Sequence, residues 1–445
     1  MIEVLGRKSA EVRRRLAGSL VARNTFSMMA GSVGTILLQA VYFILIARCL
    51  GPQQYGAFVG AVSLIAVLSP FAAWGTGGIL VRNVARQKES FPRSWGNALW
   101  MTAVSGSVLL LLVLLLSNRI LSGKVPLALV LIVGASDLIF AASVSLASQA
   151  FTAFEMLGKT AQIGVVLAGS RAVCALAMYL WVPHANAHSW AALYLASTVF
   201  SALCAFVMVC RRLGYPQFAS TISRSDLREG FHFSLSVSSQ SVYNNIDKAM
   251  LVRLATLEAA GIYATAYRVV DLALQPVSSL LYSTFAKFFQ HGSRGIEGSS
   301  SYARRILPIA AGYGVLAGIV LFVAAPILPL VIGASFHGTD TVLRWLSPLI
   351  LIRAVHYLLA NSLTGADLQG LRSGIQLGVA AFNIAMNIWL IPAYSWRGAA
   401  WASLASDGLL AVSMWVVITL LRVRSRRESI GEPQTKTAAV GILNV

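Results

Sequence analysis

Residues 231–289 read FHFSLSVSSQSVYNNIDKAMLVRLATLEAAGIYATAYRVVDLALQPVSSLLYSTFAKFF. The stretch is apolar enough to lie in a lipid bilayer, yet it carries Asp247, Lys248, Arg268 and Asp271. Ionisable side chains at bilayer depth are costly, and they face a bundle interior or a water-filled cavity. The stretch therefore predicts two helices that line a polar cavity in a membrane protein. Those helices cover about 231–256 and 259–286, with boundaries good to roughly 2–4 residues.

The rest of the chain agrees. Of 445 residues, 57% are hydrophobic and 11% charged, against about 25% charged in a soluble domain. Mean hydropathy is +0.72. A spanning helix needs about 20 apolar residues. Ten further runs qualify: 26–47, 55–80, 97–117, 126–152, 161–182, 190–210, 306–332, 341–363, 371–392 and 398–421. The predicted fold is all-α and integral to the membrane, with twelve transmembrane helices in two six-helix bundles around a central cavity. The bundles cover 26–210 and 231–421, with a basic segment at 1–25, a linker at 211–230 and a basic tail at 422–445. Short loops leave no room for a sizeable soluble domain.

The net charge of +19 does not imply nucleic acid, because no folded polar face is available to bind it. The basic residues instead follow the positive-inside rule. With a cytoplasmic N-terminus, 25 of the 35 lysines and arginines fall inside, 5 outside and 5 within spans. Both termini are thus expected in the cytoplasm. The basic start of the chain leads into a run long enough to span, so it reads as a retained first span rather than a cleaved signal. Cys49, Cys174, Cys204 and Cys210 lie in apolar runs without metal-ligand spacing and read as reduced packing residues.

Six spans on either side of 211–230 make the two halves parallel repeats. Arg48 is followed eight residues later by Gly56, and Arg253 eight residues later by Gly261. Pro70 and Pro276 fall at matching places beyond them and read as kinks with a hinge role between halves.

Two segments resemble a known family. The residues that carry the likeness are Leu50-Gly51-Pro52 with Tyr55-Gly56, then Asp247-Lys248, then Gly261-Ile262-Tyr263 with Ala266-Tyr267-Arg268. They are similar to the polysaccharide-biosynthesis flippases, also called Wzx or O-antigen transporters. These share a superfamily with the multidrug and toxin extrusion antiporters and the lipid II flippases. The resemblance implies movement of undecaprenyl-pyrophosphate-linked oligosaccharides across the bacterial inner membrane for O-antigen, capsule or exopolysaccharide. It implies alternating access, with membrane lipids and other polysaccharide-assembly proteins as neighbours.

A lipid-linked sugar needs a hydrated path, because its pyrophosphate and rings cannot cross hydrocarbon unaided. Arginine offers a planar fork for phosphate oxygens. Arg171, Arg268 and Arg353, with Lys248, are the candidate pyrophosphate ligands. Asn244, Tyr267, Gln376 and Asn383 are candidates for sugar hydroxyls. Asp247, Asp271, Asp137 and Asp407 are candidates for gating, charge balance or ion coupling. Ser236, Gln240, Tyr243, Asn244 and Asp247 share one helical arc, and Gln376, Asn383 and Asn387 another. Arg353 has no acidic residue within a helical turn, which marks it as the prime substrate contact. His356, three residues on, reads as a hydrogen-bonded structural histidine. Arg268 with Asp271, and Asp137 with Arg171, could equally be fixed pairs.

No phosphate-cradling glycine loop, paired histidines or activated nucleophile is visible. The short outer loops 182–189 and 333–340 weigh against an enzyme acting on glycans. No metal or cofactor is expected. Energy comes from an ion gradient (H+ or Na+) or from downhill substrate flow. The competing reading is an ion-coupled multidrug antiporter of the same architecture. Among the residues near the midplane, three arginines against two aspartates favour an anionic passenger.

Overall fold

The computed structural model describes residues 2–218 and 224–431. Residues 219–223 of the expected linker and 432–445 of the expected tail lie outside them. The described residues form helices and no strands. The first, α1 (Ile2–Leu68), is two helices merged at Gly51, where φ is +66°. Glycine adopts this left-handed conformation without a Cβ penalty, so the Leu50-Gly51-Pro52 sequence turns the chain between its first two passages.

The second passage is interrupted. A 3-10 turn at Ser69–Phe71 follows α1, and α2 starts afresh at Thr76–Arg86. Trp74 and Gly75 hold positive φ between them. The expected kink at Pro70 is thus a true break. After a short 3-10 turn at Lys88–Ser90 comes α3 (Phe91–Ile120). The fourth passage runs through α4 (Leu127–Gly134), a π-helical turn at Ala135–Ala141 and α5 (Ala142–Ala153). Helices α6 (Leu157–Trp181) and α7 (Ala187–Leu213) follow. Asn186 caps α7 by accepting a hydrogen bond from the Ser189 amide at 2.9 Å, as an N-cap asparagine does.

Helices α8 (Arg224–Leu254) and α9 (Leu257–Gly292) form the quoted stretch. Pro276 lies inside α9, and the helix continues past it. Then come α10 (Gly295–Ala324) and α11 (Leu328–Ile332), separated by a 3-10 turn at Ala325–Ile327. That turn falls at the sequence APILP. The chain ends with α12 (Thr339–Leu346), α13 (Leu349–Gly365), α14 (Gln369–Tyr394) and α15 (Trp396–Gly431).

Among the described residues, nine helical stretches are long and apolar enough to cross a membrane. The first, Val33–Arg86, has 54 residues and holds two passages. Helices α8 and α9, 31 and 36 residues long, provide the remaining two. The fold therefore supplies the twelve passages that the sequence predicts.

The chain divides into two compact units. Unit one contains the chain up to Arg268 with Pro326–Val342 and Asn387–Ala399; unit two contains the remainder. This grouping by packing is not the sequential grouping at 211–230, because α9, α12, α14 and α15 each contribute to both units. Unit one packs around Phe91, Trp95, Leu146 and Phe151, and unit two around Phe288, Ala310 and Leu358, all almost fully buried.

Within unit one the repeat has a physical counterpart. Arg48 Nε donates to the Val331 carbonyl at 2.6 Å, at the end of α11. Arg253 Nη1 donates to the Arg119 carbonyl at 3.0 Å, at the end of α3. Each arginine satisfies carbonyls that a helix C-terminus leaves without intrahelical partners, and each does so on the half of the chain to which it does not belong.

Candidate functional site

Unit one contains a cavity of about 470 Å3. Two irregular segments meet at its wall: the break in the second passage (Ser69, Pro70, Ala73, Gly75) and the π-helical turn carrying Asp137. Irregular backbone at membrane depth is tolerated where it is buried in protein or lines a cavity, and π-turns inside α-helices gather at functional sites. Asp137, Arg171 and Tyr194 line this cavity together.

Their arrangement differs from a direct ion pair. The Tyr194 hydroxyl donates to Asp137 Oδ1 at 2.9 Å. The Arg171 guanidinium lies over the Tyr194 ring, 4.1 Å from its centroid, a cation–π geometry. Tyr194 thus stands between the two charges that sequence reasoning could only pair directly. Arg171 Nη2 also donates to Thr198 Oγ1 at 3.4 Å. Its Nε is buried with no acceptor among the described residues. Hydroxyl contacts fix these helices to one another: Ser136 to Thr198 at 3.0 Å and Ser170 to Ser201 at 2.9 Å.

A second arginine approaches the same neighbourhood. Arg268 Nη2 donates to Gln39 Oε1 and to the Tyr42 hydroxyl, each at 3.1 Å. Arg171 also interacts with the Tyr42 side chain. Arg171 and Arg268 therefore both have Tyr42 as a neighbour, all within unit one. Gln39, Tyr42 and Tyr194 escaped the sequence reading because none is charged. Their signal was present, since Gln39 and Tyr42 are polar residues three apart in an otherwise apolar span.

The pair at 247–248 is closed on itself. Asp247, fully buried, accepts from the Tyr263 hydroxyl at 2.7 Å and from the Lys248 amide and Nζ at 2.8 and 3.3 Å. Lys248 Nζ further donates to the Asn244 carbonyl at 2.6 Å and sits 3.7 Å from the Tyr267 ring centroid. Lys248 and Tyr267, expected as substrate ligands, are here occupied with each other and almost fully buried. Asn244 remains partly exposed. The side chains of Ser236 and Gln240 lie outside the described residues.

In unit two, the expectation of an uncompensated Arg353 is corrected. Its Nε donates to Asp407 Oδ2 at 2.9 Å and its Nη1 to Asp271 Oδ1 at 3.4 Å. His356 Nε2 lies 3.1 Å from the other Asp407 oxygen, the hydrogen-bonded state expected for it. Arg353 is 2% exposed, whereas the Asp271 side chain keeps 39% of its surface exposed. The partners come from other helices, which is why spacing along α13 could not reveal them. On α14, Gln376, Asn383 and Asn387 are all buried. Asn383 donates to Ser406 Oγ at 2.9 Å, so that residue of the stripe is tied to α15.

The sequence model of the polysaccharide biosynthesis protein family matches residues 21–288. No curated protein matches the chain. Among solved structures, an inward-facing conformation of a multidrug resistance MATE family transporter of the MOP superfamily superposes with a TM-score of 0.74. That match has 14% identity and covers 88% of this chain and 96% of that one. An outward-facing conformation of such a transporter gives 0.62 at 14% identity, over 89% and 96%. A MOP superfamily transporter from Pyrococcus furiosus Vc1 (DSM3638), described by a reverse polarity of its binding pocket, also gives 0.62, at 15% identity and the same coverages. At these identities the likeness establishes a common fold.

Proposed function

The chain belongs to the polysaccharide biosynthesis protein family, and from that premise we propose that it is a flippase for undecaprenyl-pyrophosphate-linked oligosaccharide. It is a multi-pass membrane protein of MOP transporter fold. In this reading it acts in a bacterial inner membrane with both termini in the cytoplasm. The excess of lysine and arginine on one side of the spans supports that orientation.

The observation that carries the proposal is the meeting of Arg171 and Arg268 at Tyr42. Like charges brought near one another repel more strongly in protein than in water, because the effective dielectric is lower. A diphosphate placed between them converts that repulsion into two charge-assisted contacts, and the guanidinium fork suits its oxygens. A cationic drug would meet the opposite field there. Arg353 is left out of this cradle, since two carboxylates already hold it. The halves divided at 211–230 would rock around the cradle in alternating access, with the break at Pro70 as a flexible point.

The test is reconstitution into liposomes with a labelled polyprenyl-pyrophosphate oligosaccharide. Faster transbilayer movement with protein than without supports the reading. No acceleration, together with efflux of a cationic dye, would establish the drug antiporter instead. An imposed H+ or Na+ gradient in the same vesicles shows whether transport is ion-coupled.

A further inference from the structure

The cavity in unit one offers more than the diphosphate cradle uses. Its volume of about 470 Å3 falls within the range of small-molecule pockets, roughly 300–1,000 Å3. Its wall carries one carboxylate, Asp137, and one guanidinium, Arg171, beside the Gln149 amide and the hydroxyls of Ser69 and Ser145. With Arg171 turned to the diphosphate, a further anionic group in the cavity would meet Asp137, and an organic cation would meet Arg171. A neutral ligand rich in hydroxyls meets neither objection. Carboxylate and amide oxygens accept from hydroxyls, while amide and guanidinium N–H groups donate to them.

Two further features support a ligand of this kind. Small residues line the wall where the backbone departs from regular helix, at Ala73, Gly75 and Ala141. Gly77 lets Gln149 approach, since a Cβ there would lie 2.0 Å from Gln149 Oε1. Arg171 belongs both to this wall and to the surroundings of Tyr42. A lipid-linked oligosaccharide carries its first sugar directly on the diphosphate, so a diphosphate held by Arg171 and Arg268 places that ring beside the cavity.

We infer that the cavity is a sugar subsite that takes the first, uncharged hexose ring of the lipid-linked oligosaccharide. The inference rests on the flippase reading above and adds a specificity for neutral sugars. Purified full-length protein is titrated with bare undecaprenyl pyrophosphate and with undecaprenyl-pyrophosphoryl hexose, and binding is read by tryptophan fluorescence. The hexose lipid is expected to bind at least tenfold more tightly than the bare lipid. In the cavity-filling variant Ser145→Trp this gain disappears while affinity for the bare lipid stays as in the wild type. Gln149→Leu, which adds no bulk, shrinks the gain in the same direction. A lipid bearing a hexuronic acid gains nothing over the bare one. Equal binding of the bare and hexose lipids to the wild type overturns the subsite and leaves the flippase reading standing. A gain that persists in both variants overturns it equally. Failure of either lipid to bind the wild type removes the flippase reading and the subsite with it.

Discussion

Gly56 and Gly261 are reciprocal neighbours. A Cβ on Gly56 would lie 1.8 Å from the Leu257 carbonyl oxygen, and a Cβ on Gly261 would lie 1.9 Å from the Pro52 carbonyl oxygen. Leu257 precedes Gly261 by four residues, as Pro52 precedes Gly56. The helices therefore meet backbone to backbone, which small residues permit. The same spacing of arginine and glycine that marks the repeat in the sequence becomes a two-way exchange of contacts in unit one.

Gly56→Ala and Gly261→Ala each force a backbone to move. Each is expected to cost about 1–3 kcal/mol, the range for overpacking a tight contact. The double variant should cost less than the sum, because one displacement relieves both clashes. Thermal unfolding in detergent measures this; unchanged midpoints for both single variants would show that the seam is loose.

Asp407 holds Arg353 and His356 together in unit two. Asp407→Ala leaves Arg353 with only the longer contact to Asp271 among the bonds described above. Removing one partner of a buried pair costs about 3–5 kcal/mol, so this variant should unfold early or fail to accumulate. Replacing Arg353 and Asp407 together by Met and Leu should recover most of the loss. A double variant no more stable than Asp407→Ala would contradict that account.

Arg268 plays a different part from Arg353. Arg268→Gln keeps a polar side chain opposite Gln39 and Tyr42 but removes the charge. Hydrogen bonds to charged groups contribute about 1.5–3 kcal/mol, which corresponds to roughly 10- to 100-fold in affinity. Transport of the lipid-linked oligosaccharide should fall by that order while the unfolding midpoint changes little. A loss of stability in parallel with transport would reassign Arg268 to structure.

At the break in the second passage, glycine matters more than proline. Gly75 has φ +66°, and a Cβ there would lie 2.4 Å from the Gly230 carbonyl oxygen. Gly75→Ala is therefore expected to destabilise by more than 1 kcal/mol, as alanine does where φ is positive. Pro70→Ala removes only a preference at the first turn and should cost less. The opposite order in unfolding experiments would make Pro70 the element that sets the break.

Tyr194→Phe separates two contacts. It deletes the hydroxyl that Asp137 accepts and keeps the ring face under Arg171. The half-buried carboxylate then loses a charge-assisted hydrogen bond, worth about 1.5–3 kcal/mol. Tyr194→Leu removes the ring as well and should be worse. Equal unfolding midpoints for the two variants would show that the cation–π contact contributes nothing.

The spans were legible because hydropathy accumulates along the chain and a bilayer demands about 20 apolar residues of each helix. Gly51 and Pro70 were legible because their backbone chemistry acts locally. Asp137, Arg171 and Arg268 stood out because charge is rare in such runs. Gln39, Tyr42 and Tyr194 did not, since a neutral polar residue in a span has no single meaning until its neighbours are known.

The sequence by itself determined an all-helical membrane chain with twelve passages, an excess of basic residues on one side and a short set of ionisable groups inside. Only the tertiary structure decided how those groups are used. Arg353 meets Asp407 and Asp271 across 54 and 82 residues of chain, while Arg268 reaches Tyr42 across 226. Contacts at such separations depend on which helices pack side by side, and a helix's own periodicity carries no record of its neighbours. That is why Arg353, with no acidic residue near it along its own helix, is held by carboxylates from other helices, while Arg268 reaches a phenol on another passage.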